Sequence, residues 1–175
     1  MNKLYFLIVA AFLFGCNNKQ KQQNSLPGDF RYTSYRLVNT KDSFGISVNH
    51  YLQIYKDGNY RLVMRKNSGE AAYYYGFIGY NNFPLINEFV ADTALLLTDT
   101  LTVSDSINRY KFDYNTGTGQ KKIAFTSSTE SEQVKTIQQK LDSIIASPGK
   151  KLSSHFNIDG YLKNIITEDS SAIRK

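Results

Sequence analysis

The sequence predicts an α+β fold, a single antiparallel sheet of about five to six strands with two or three helices packed on one face. Two observations predict it. Alternating apolar and polar residues flank several glycine-containing turns, which is typical of β-hairpins. A later segment repeats apolar residues at intervals close to the helical period of about 3.6 residues, which is typical of an amphipathic helix.

The clearest hairpin covers residues 51 to 66, after a first strand that the alternation in residues 31 to 38 allows. Its turn is Asp57-Gly58, and this dipeptide between alternating runs predicts a type I′ turn with positive φ at both central residues. The apolar residues that share one face of this hairpin are Leu52, Ile54, Tyr60, Leu62 and Met64.

Residues 70 to 80 follow with the composition of a strand on both faces. The two faces carry Tyr73, Tyr75 and Phe77 on one side and Tyr74, Ile78 and Tyr80 on the other. Asn82 and Pro84 then predict the start of a short helix, because proline in the first turn has no hydrogen bond to lose. The buried stripe of this helix is predicted to be Leu85, Ile86, Phe89 and Val90.

A second hairpin is predicted at residues 107 to 127, across a turn at residues 116 to 119. Its apolar face is predicted to consist of Tyr110, Phe112, Tyr114, Ile123 and Phe125. The alternate residues Arg109, Lys111 and Asp113 are predicted to face water, as in an antiparallel sheet with one solvated side.

A long helix is predicted after Thr129 and Glu132, which fit a capping box. Its apolar residues recur at helical spacing and are Val134, Ile137, Leu141, Ile144 and Ile145. Residues 147 to 149, Ser-Pro-Gly, end it. A weaker helix is predicted from Gly160 to Glu168, and residues 169 to 175 are expected to fray.

The N terminus has the pattern of an exported bacterial lipoprotein. Eleven apolar residues, Leu4 to Phe14, are enough for a signal peptide, which needs about 7 to 15, and too few for a membrane-spanning helix, which needs about 20. The next residues, Gly15-Cys16, complete a resemblance to the lipobox, in which a small residue before cysteine permits cleavage and the cysteine sulfur carries lipid. Phe14 departs from the smaller residue usual at its position.

The sequence therefore predicts acylation of Cys16, the only cysteine in the chain, and anchoring to the membrane through it. The alternative is an ordinary secretory signal in which Cys16 is a chance thiol. Asn17 stands where an aspartate would indicate retention in the inner membrane. We accordingly expect a bacterial cell-envelope protein, an outer-membrane lipoprotein facing the periplasm, with display at the cell surface as the alternative.

These patterns predict four segments: a lipoprotein signal peptide at 1–15, the lipidated cysteine with a flexible tether at 16–29, an α+β domain at 30–147 and a C-terminal helical tail at 148–175. The tether is rich in Asn, Gln and Lys and has no apolar periodicity. The chain carries a net charge of +6 at pH 7 from basic residues that are scattered. Because nucleic-acid recognition needs a clustered basic face, nucleic acid is not an expected partner.

A further motif lies at residues 43 to 60. It matches the pattern Cys-Phe-Gly-x-Cys-Pro-x-Tyr, followed by alternating apolar residues and Asp-Gly, at Phe44, Gly45, Leu52, Ile54, Tyr55, Asp57 and Gly58. In these residues the chain resembles an uncharacterised domain family of Gram-negative bacterial lipoproteins, over about residues 30 to 147. The departures from the pattern are Ser43 and Ser47 for the two cysteines, Val48 for the proline and His50 for the tyrosine. Any disulfide or metal role of those cysteines is absent here, and the resemblance implies no known reaction.

No motif for catalysis, metal binding or cofactor binding stands out. The two histidines, His50 and His155, lack zinc-site spacing and have no thiol to join them. A Ser-His-Asp arrangement assembled across the fold stays open, but no Gly-x-Ser-x-Gly elbow occurs. We therefore expect no enzyme activity, no cofactor and no metal, and a hydrolase is the least favoured alternative.

Tyrosine is the most suggestive feature, since thirteen are present and Tyr73, Tyr74 and Tyr75 are contiguous. Rings with a polar tip are favoured at binding surfaces, so these three and Tyr80 are the candidate binding surface. The alternative is that the tyrosines fill half-buried sheet positions. The predicted function is a non-catalytic module that binds an envelope protein or polymer; the alternative is a carrier of an apolar ligand between sheet and helix.

Overall fold

A computed structural model describes residues 25–40, 43–65, 69–91, 108–115, 119–126 and 132–173. Seven strands of this part form one antiparallel sheet: β1 Asp29–Thr40, β2 Ser43–Ile54, β3 Asn59–Arg65, β4 Ala71–Phe77, β5 Arg109–Asn115, β6 Gln120–Thr126 and β7 Lys150–Lys151. Its helices are α1 Phe83–Ala91, which follows a 3₁₀ turn at Tyr80–Asn82, α2 Glu132–Ala146 and α3 Asp159–Ile173. The α+β class is confirmed.

The sheet has one strand more than predicted, in the order β6-β5-β1-β2-β3-β4-β7. The additional strand is β7, whose Lys150 and Lys151 pair with Tyr75 and Tyr74 at the edge of the sheet. Two exposed lysines have no alternating pattern, so nothing in their own sequence predicts a strand. The first strand of the chain, β1, lies inside the sheet between β5 and β2.

The hairpin between β2 and β3 is confirmed, but its turn is not type I′. The N–H of Tyr55 donates to the carbonyl of Asn59 at 2.8 Å, and the N–H of Gly58 donates to the carbonyl of Tyr55 at 2.9 Å. Among the described residues only glycines have positive φ, and Gly58 has a φ of 82°. The loop therefore has three residues, with glycine alone in the left-handed region. A Cβ on Gly58 would also lie 2.5 Å from the Phe83 ring.

One face of the sheet packs against α1 and α2. Phe30, Tyr32, Leu52, Leu62 and Phe112 are among its buried strand residues. The helices contribute Phe83, Ile86, Phe89 and Val90 from α1 and Val134, Ile137, Leu141 and Ile145 from α2, whereas Leu85 and Ile144 are partly buried. The predicted apolar faces of both hairpins and both helices are thus confirmed. Thr129 of the predicted capping box lies outside the described residues.

The other face of the sheet packs against α3 and the segment before it. The strand residues on this face alternate along the chain with those of the main core and include Tyr35, Leu37, Tyr51 and Val63. The residues of α3 that pack against them are Tyr161, Leu162 and Ile165. The helices therefore do not all share one face of the sheet. The prediction that Arg109, Lys111 and Asp113 face water is wrong, because α3 covers them and they are only 1%, 4% and 1% exposed.

The ends of the folded region also extend beyond the predicted elements. Helix α3 runs past the predicted end at Glu168, and Asp169 is buried rather than frayed. At the other end, Leu26 is buried in the main core, and its N–H donates to the carbonyl of Lys56 at 2.8 Å. The predicted signal peptide and Cys16 lie outside the described residues. No helix in the described part of the chain has the length and apolarity needed to cross a membrane.

Candidate functional site

The four tyrosines that the sequence singles out do not share one surface. Tyr73 is half-buried on the face covered by α3, where its ring stacks on that of His155 at 4.6 Å. Tyr74 points to the opposite face and packs against the main core. Tyr75 and Tyr80 are exposed, at 46% and 49%. The strand alternation explains this division, because neighbouring residues of β4 must face opposite sides.

A row of polar residues crosses the sheet beside Tyr75. Cross-strand pairing places Arg31 of β1 opposite Gln53 of β2, Gln53 opposite Arg61 of β3, and Arg61 opposite Tyr75 of β4. By strand alternation, these residues lie on the face of the sheet that α3 covers. The row runs past the N-terminal end of α3, so its side chains border an open depression rather than a closed core.

The depression has a volume of about 380 Å³. Its sheet side is formed by Arg31, Tyr51, Gln53 and Arg61, and its other wall is formed by Phe156, Asn157, Ile158, Gly160, Tyr161 and Asn164. Pockets of about 300 to 1,000 Å³ are the usual size for small ligands. No aspartate or glutamate is among these lining residues, and two arginines are. We call it the arginine depression.

Aromatic rings hold the two guanidinium groups in place. The Arg31 guanidinium carbon lies 5.6 Å from the centre of the Tyr161 ring. That of Arg61 lies 5.6 Å from the ring centres of both Tyr55 and Phe156. A cation over a ring face is attracted by the ring quadrupole, so these contacts restrict both arginine side chains before any ligand binds.

Two further tyrosine hydroxyls order the walls of the arginine depression. The Tyr51 hydroxyl donates to Oε1 of Gln53 at 3.0 Å, and burial raises the pKa of Tyr51 to about 12. The Tyr161 hydroxyl donates to Oδ2 of Asp113 at 2.5 Å. Burial, and then the Asp113 carboxylate, raise the pKa of Tyr161. Both hydroxyls therefore stay protonated and act as donors to fixed partners.

Charged and hydrogen-bonded side chains fix α3, and through it the wall of the arginine depression. Asp169 accepts a hydrogen bond from the Tyr35 hydroxyl at 2.8 Å and lies 3.7 Å from Nη1 of Arg109. Lys111 and Lys122 both pair with the carboxylate of Glu168. Burial opposes ionisation of Glu168, but its hydrogen bonds to the two lysines outweigh it and lower its pKa. Burial raises the pKa of Asp169.

The histidines lie apart from the arginine depression. His50 is on the opposite face of the sheet, 4.9 Å from the Tyr32 ring centre to centre, and burial lowers its pKa to about 4. His155 is exposed beside a second depression of about 450 Å³ at the β4–β7 edge. In the described part of the chain, no three of His, Cys, Asp and Glu come together as a metal site would require.

We expect the protein to lose stability as the pH falls from about 6.5 to about 4, because burial keeps His50 uncharged. In the unfolded chain His50 gains its proton near pH 6.5, and in the fold only near pH 4. The stabilisation is complete above pH 6.5 and is lost by pH 4, a change of about 3 kcal/mol. Urea unfolding at pH 7.5, 5.5 and 4 measures it.

The control for this titration is a pair of variants. His50→Phe keeps a ring beside Tyr32 but cannot take up a proton, so its stability should fall less over this pH range. His155→Phe changes an exposed ring and should keep the wild-type loss. An identical loss in all three proteins would show that His50 does not cause it.

The sequence matches no protein-family model and no curated protein. The resemblance to the lipoprotein domain family therefore stays a prediction.

Sequence reasoning missed Arg31, Arg61 and Phe156. A signal for Arg61 was present, because strand alternation places it between Tyr60 and Leu62 of the apolar face and so directs it to the opposite face. Nothing in the local sequence indicates that Phe156 and Tyr161 return to this face, about one hundred residues later along the chain.

Proposed function

We propose that this chain is a membrane-anchored lipoprotein of the bacterial cell envelope whose folded part is a non-catalytic binding module. One observation carries the binding role: an open depression on the sheet, lined by two arginines, three aromatic rings and no carboxylate. Such a concave site, with a few convergent polar groups, is typical of ligand recognition. Its charged groups are ordered by contacts with aromatic rings, which lowers the entropy that binding a ligand would cost.

The proposed location of the module in the cell rests on the lipobox-like sequence that ends at Cys16. Acyl chains on this sulfur would contribute roughly 0.8 kcal/mol per buried methylene, so two or three chains anchor a protein stably. The proposed location is the outer membrane with the domain facing the periplasm, and the alternative is the cell surface. The residues from Cys16 to Leu26 then keep the folded part close to the bilayer.

The exposed aromatic residues beside the arginine depression extend the proposed binding surface. Tyr75 stands opposite Arg61 on β4, and Phe77, two residues further on, is 45% exposed and packs edge-on against Tyr80 at 4.9 Å. Large exposed rings next to arginine are the composition of interface hot spots. An envelope protein or an envelope polymer is therefore the proposed partner.

The carrier alternative receives less support from the packing. An apolar ligand held between sheet and long helix would need room beneath α2. In the described structure that region is occupied by large, nearly or fully buried side chains, including Tyr32, Phe112 and Leu141. Inserting a ligand there would require these close-packed groups to separate. The binding module is the better supported proposal.

A site-specific crosslink in living cells tests the proposed function. The photoreactive residue benzoylphenylalanine replaces Tyr75 in one variant and Gln139, which is exposed on α2 at the opposite side of the sheet, in the other. After irradiation we expect discrete crosslinked species for the Tyr75 variant and none for the Gln139 variant. A partner-binding role for this face fails if Tyr75 yields no species, or if both positions yield the same ones.

A further inference from the structure

The arginine depression shows which ligand chemistry it can accommodate. We infer that it binds an acidic saccharide, a sugar ring that carries a carboxylate or a phosphate group. This inference rests on the proposed binding function and names its ligand class. Three properties of the lining residues carry it: two cations in one depression, side-chain amides beside them, and a wall of aromatic rings that orders the cations.

The cations suit one anionic group. Arg31 and Arg61 flank Gln53 on the two neighbouring strands, so their Cα atoms are separated by two strand spacings, about 10 Å. Both side chains line the same depression, and guanidinium groups recognise the planar edge of a carboxylate or the oxygens of a phosphate through paired hydrogen bonds. No acidic side chain lines the depression, and Asp113, which stands opposite Arg31 on β5, accepts the hydrogen bond of the Tyr161 hydroxyl.

The amides suit hydroxyl groups. Gln53 uses its Oε1 to accept the Tyr51 hydroxyl, and Asn157 uses its Oδ1 to accept the N–H of Asp159 at 2.6 Å. Their oxygens are thereby oriented, and their amide nitrogens remain as donors of known direction. Asn164 adds a third side-chain amide to the lining. Donors and acceptors of this kind match the hydroxyls of a sugar ring.

The aromatic rings of the wall order the site, because the faces of Tyr161 and Phe156 carry the guanidinium groups of Arg31 and Arg61. Phe156 and Tyr161 stand on the wall opposite the sheet and line the depression, and Tyr161 is fixed from behind by Asp113 and by Thr33, whose Oγ1 lies 3.1 Å from its hydroxyl oxygen. A rigid ring wall loses little entropy when a ligand binds. The depression of about 380 Å³ is large enough for one or two sugar rings and falls at the small end of ligand pockets.

The first turn of α3 adds a favourable potential. Gly160 lines the depression, and the N-terminal end of a helix carries a partial positive charge. Asp159 opens the helix but is not among the lining residues. The helix supplements the two arginines, and the recognition of the anion depends on the arginines.

Four small probes test the inference on the full chain in neutral detergent. Glucuronate, glucose 6-phosphate and glucose share one ring and differ only at C6, and inorganic phosphate carries the charge without the ring. By calorimetric or NMR titration we expect glucuronate or glucose 6-phosphate to bind about tenfold or more tightly than glucose, and more tightly than inorganic phosphate. The comparison of the two acidic sugars tells a carboxylate ligand from a phosphate ligand.

Matched variants assign the binding to the arginine depression. Arg31→Gln with Arg61→Gln should weaken the acidic sugar about tenfold or more, and the two lysine replacements should restore part of the affinity. Arg65→Gln is the control, since Arg65 is exposed on the same strand as Arg61 and outside the depression. Urea unfolding of each variant checks that the fold is retained.

Several outcomes overturn the inference. These are equal binding of glucose and the acidic sugars, equal binding of inorganic phosphate and the acidic sugars, and no loss of affinity in the double glutamine variant. If no acidic sugar binds but the Tyr75 variant still forms crosslinked species, the chain has a binding function with another ligand. If both fail, the proposed function fails as well.

Discussion

We expect replacement of Cys16 with serine to abolish acylation, so that the protein either keeps its signal peptide or, once another peptidase removes it, moves to the soluble fraction. The sulfur of Cys16 is the only thiol in the chain, so no second residue can take its place as the lipid carrier. A single acyl chain gives only marginal membrane binding, and a second chain makes anchoring stable. Membrane fractionation, combined with metabolic labelling by an alkyne-tagged fatty acid, measures both the location and the modification.

The matched control is Asn18→Ser, a polar replacement two residues after the cysteine, which should remain labelled and sediment with membranes. Intact-mass analysis of the wild-type protein should show the loss of residues 1–15 together with the added mass of the acyl chains. A wild-type protein that keeps those residues, or that carries an unmodified thiol, would contradict the proposed anchoring.

Replacing Arg109 with methionine lowers the free energy of unfolding by about 3 to 5 kcal/mol, the usual cost of removing one partner of a buried ion pair. Arg109 is 1% exposed, and its Nη1 lies 3.7 Å from Asp169. Without the guanidinium, burial of the Asp169 carboxylate is less compensated, and its pKa, which burial already raises, rises further. Chemical denaturation at pH 7 measures the loss.

Two controls separate this effect from a general loss of packing. In the double variant Arg109→Met with Asp169→Leu, both charges leave, so the protein should recover part of the stability that the single variant lost. Lys135→Ala removes an exposed pair, in which Lys135 Nζ lies 3.7 Å from Glu132, and should cost less than about 0.5 kcal/mol. A single variant as stable as the wild type would show that the buried pair does not hold α3.

The elements that the sequence predicts well are those whose pattern is complete within one segment. The hairpin around Gly58 needs only neighbouring residues, and Val134, Ile137, Leu141 and Ile145 define the buried side of α2 without reference to the rest of the chain. Strand β7 could not be predicted in this way. It exists because the backbone after α2 reaches the edge of β4, where Gly149 donates its N–H to the Tyr60 hydroxyl at 2.7 Å.

The errors on the second face of the sheet have one physical cause. Charged residues at alternate positions of a strand are the usual sign of a solvated face, and in Arg109, Lys111 and Asp113 that sign is misleading. Their partners come from α3, and contacts such as Tyr161 to Asp113 join residues 48 positions apart. Polar and charged partners on a distant helix offset the cost of removing these side chains from water. The local sequence pattern does not show that such partners exist.

The surface proposed for binding differs from the four tyrosines that the sequence singles out. The strand containing Tyr73 to Tyr75 does border the surface proposed for binding, although alternation divides its side chains between two faces. The arginine depression itself depends on register across β1, β2 and β3 and on the return of the chain at Phe156. Residues so far apart in sequence share a site only through the three-dimensional fold.

The contact between Tyr35 and Asp169 joins the first strand to the last helix across 134 positions. In a chain that emerges from its N terminus, β1 to β6 appear before α3. Until the final helix emerges, Arg109, Lys111 and Asp113 are hydrated and the second layer of the core is missing. The native state therefore forms only once the final helix is present, and a protein cut short before Asp159 should be sensitive to proteolysis.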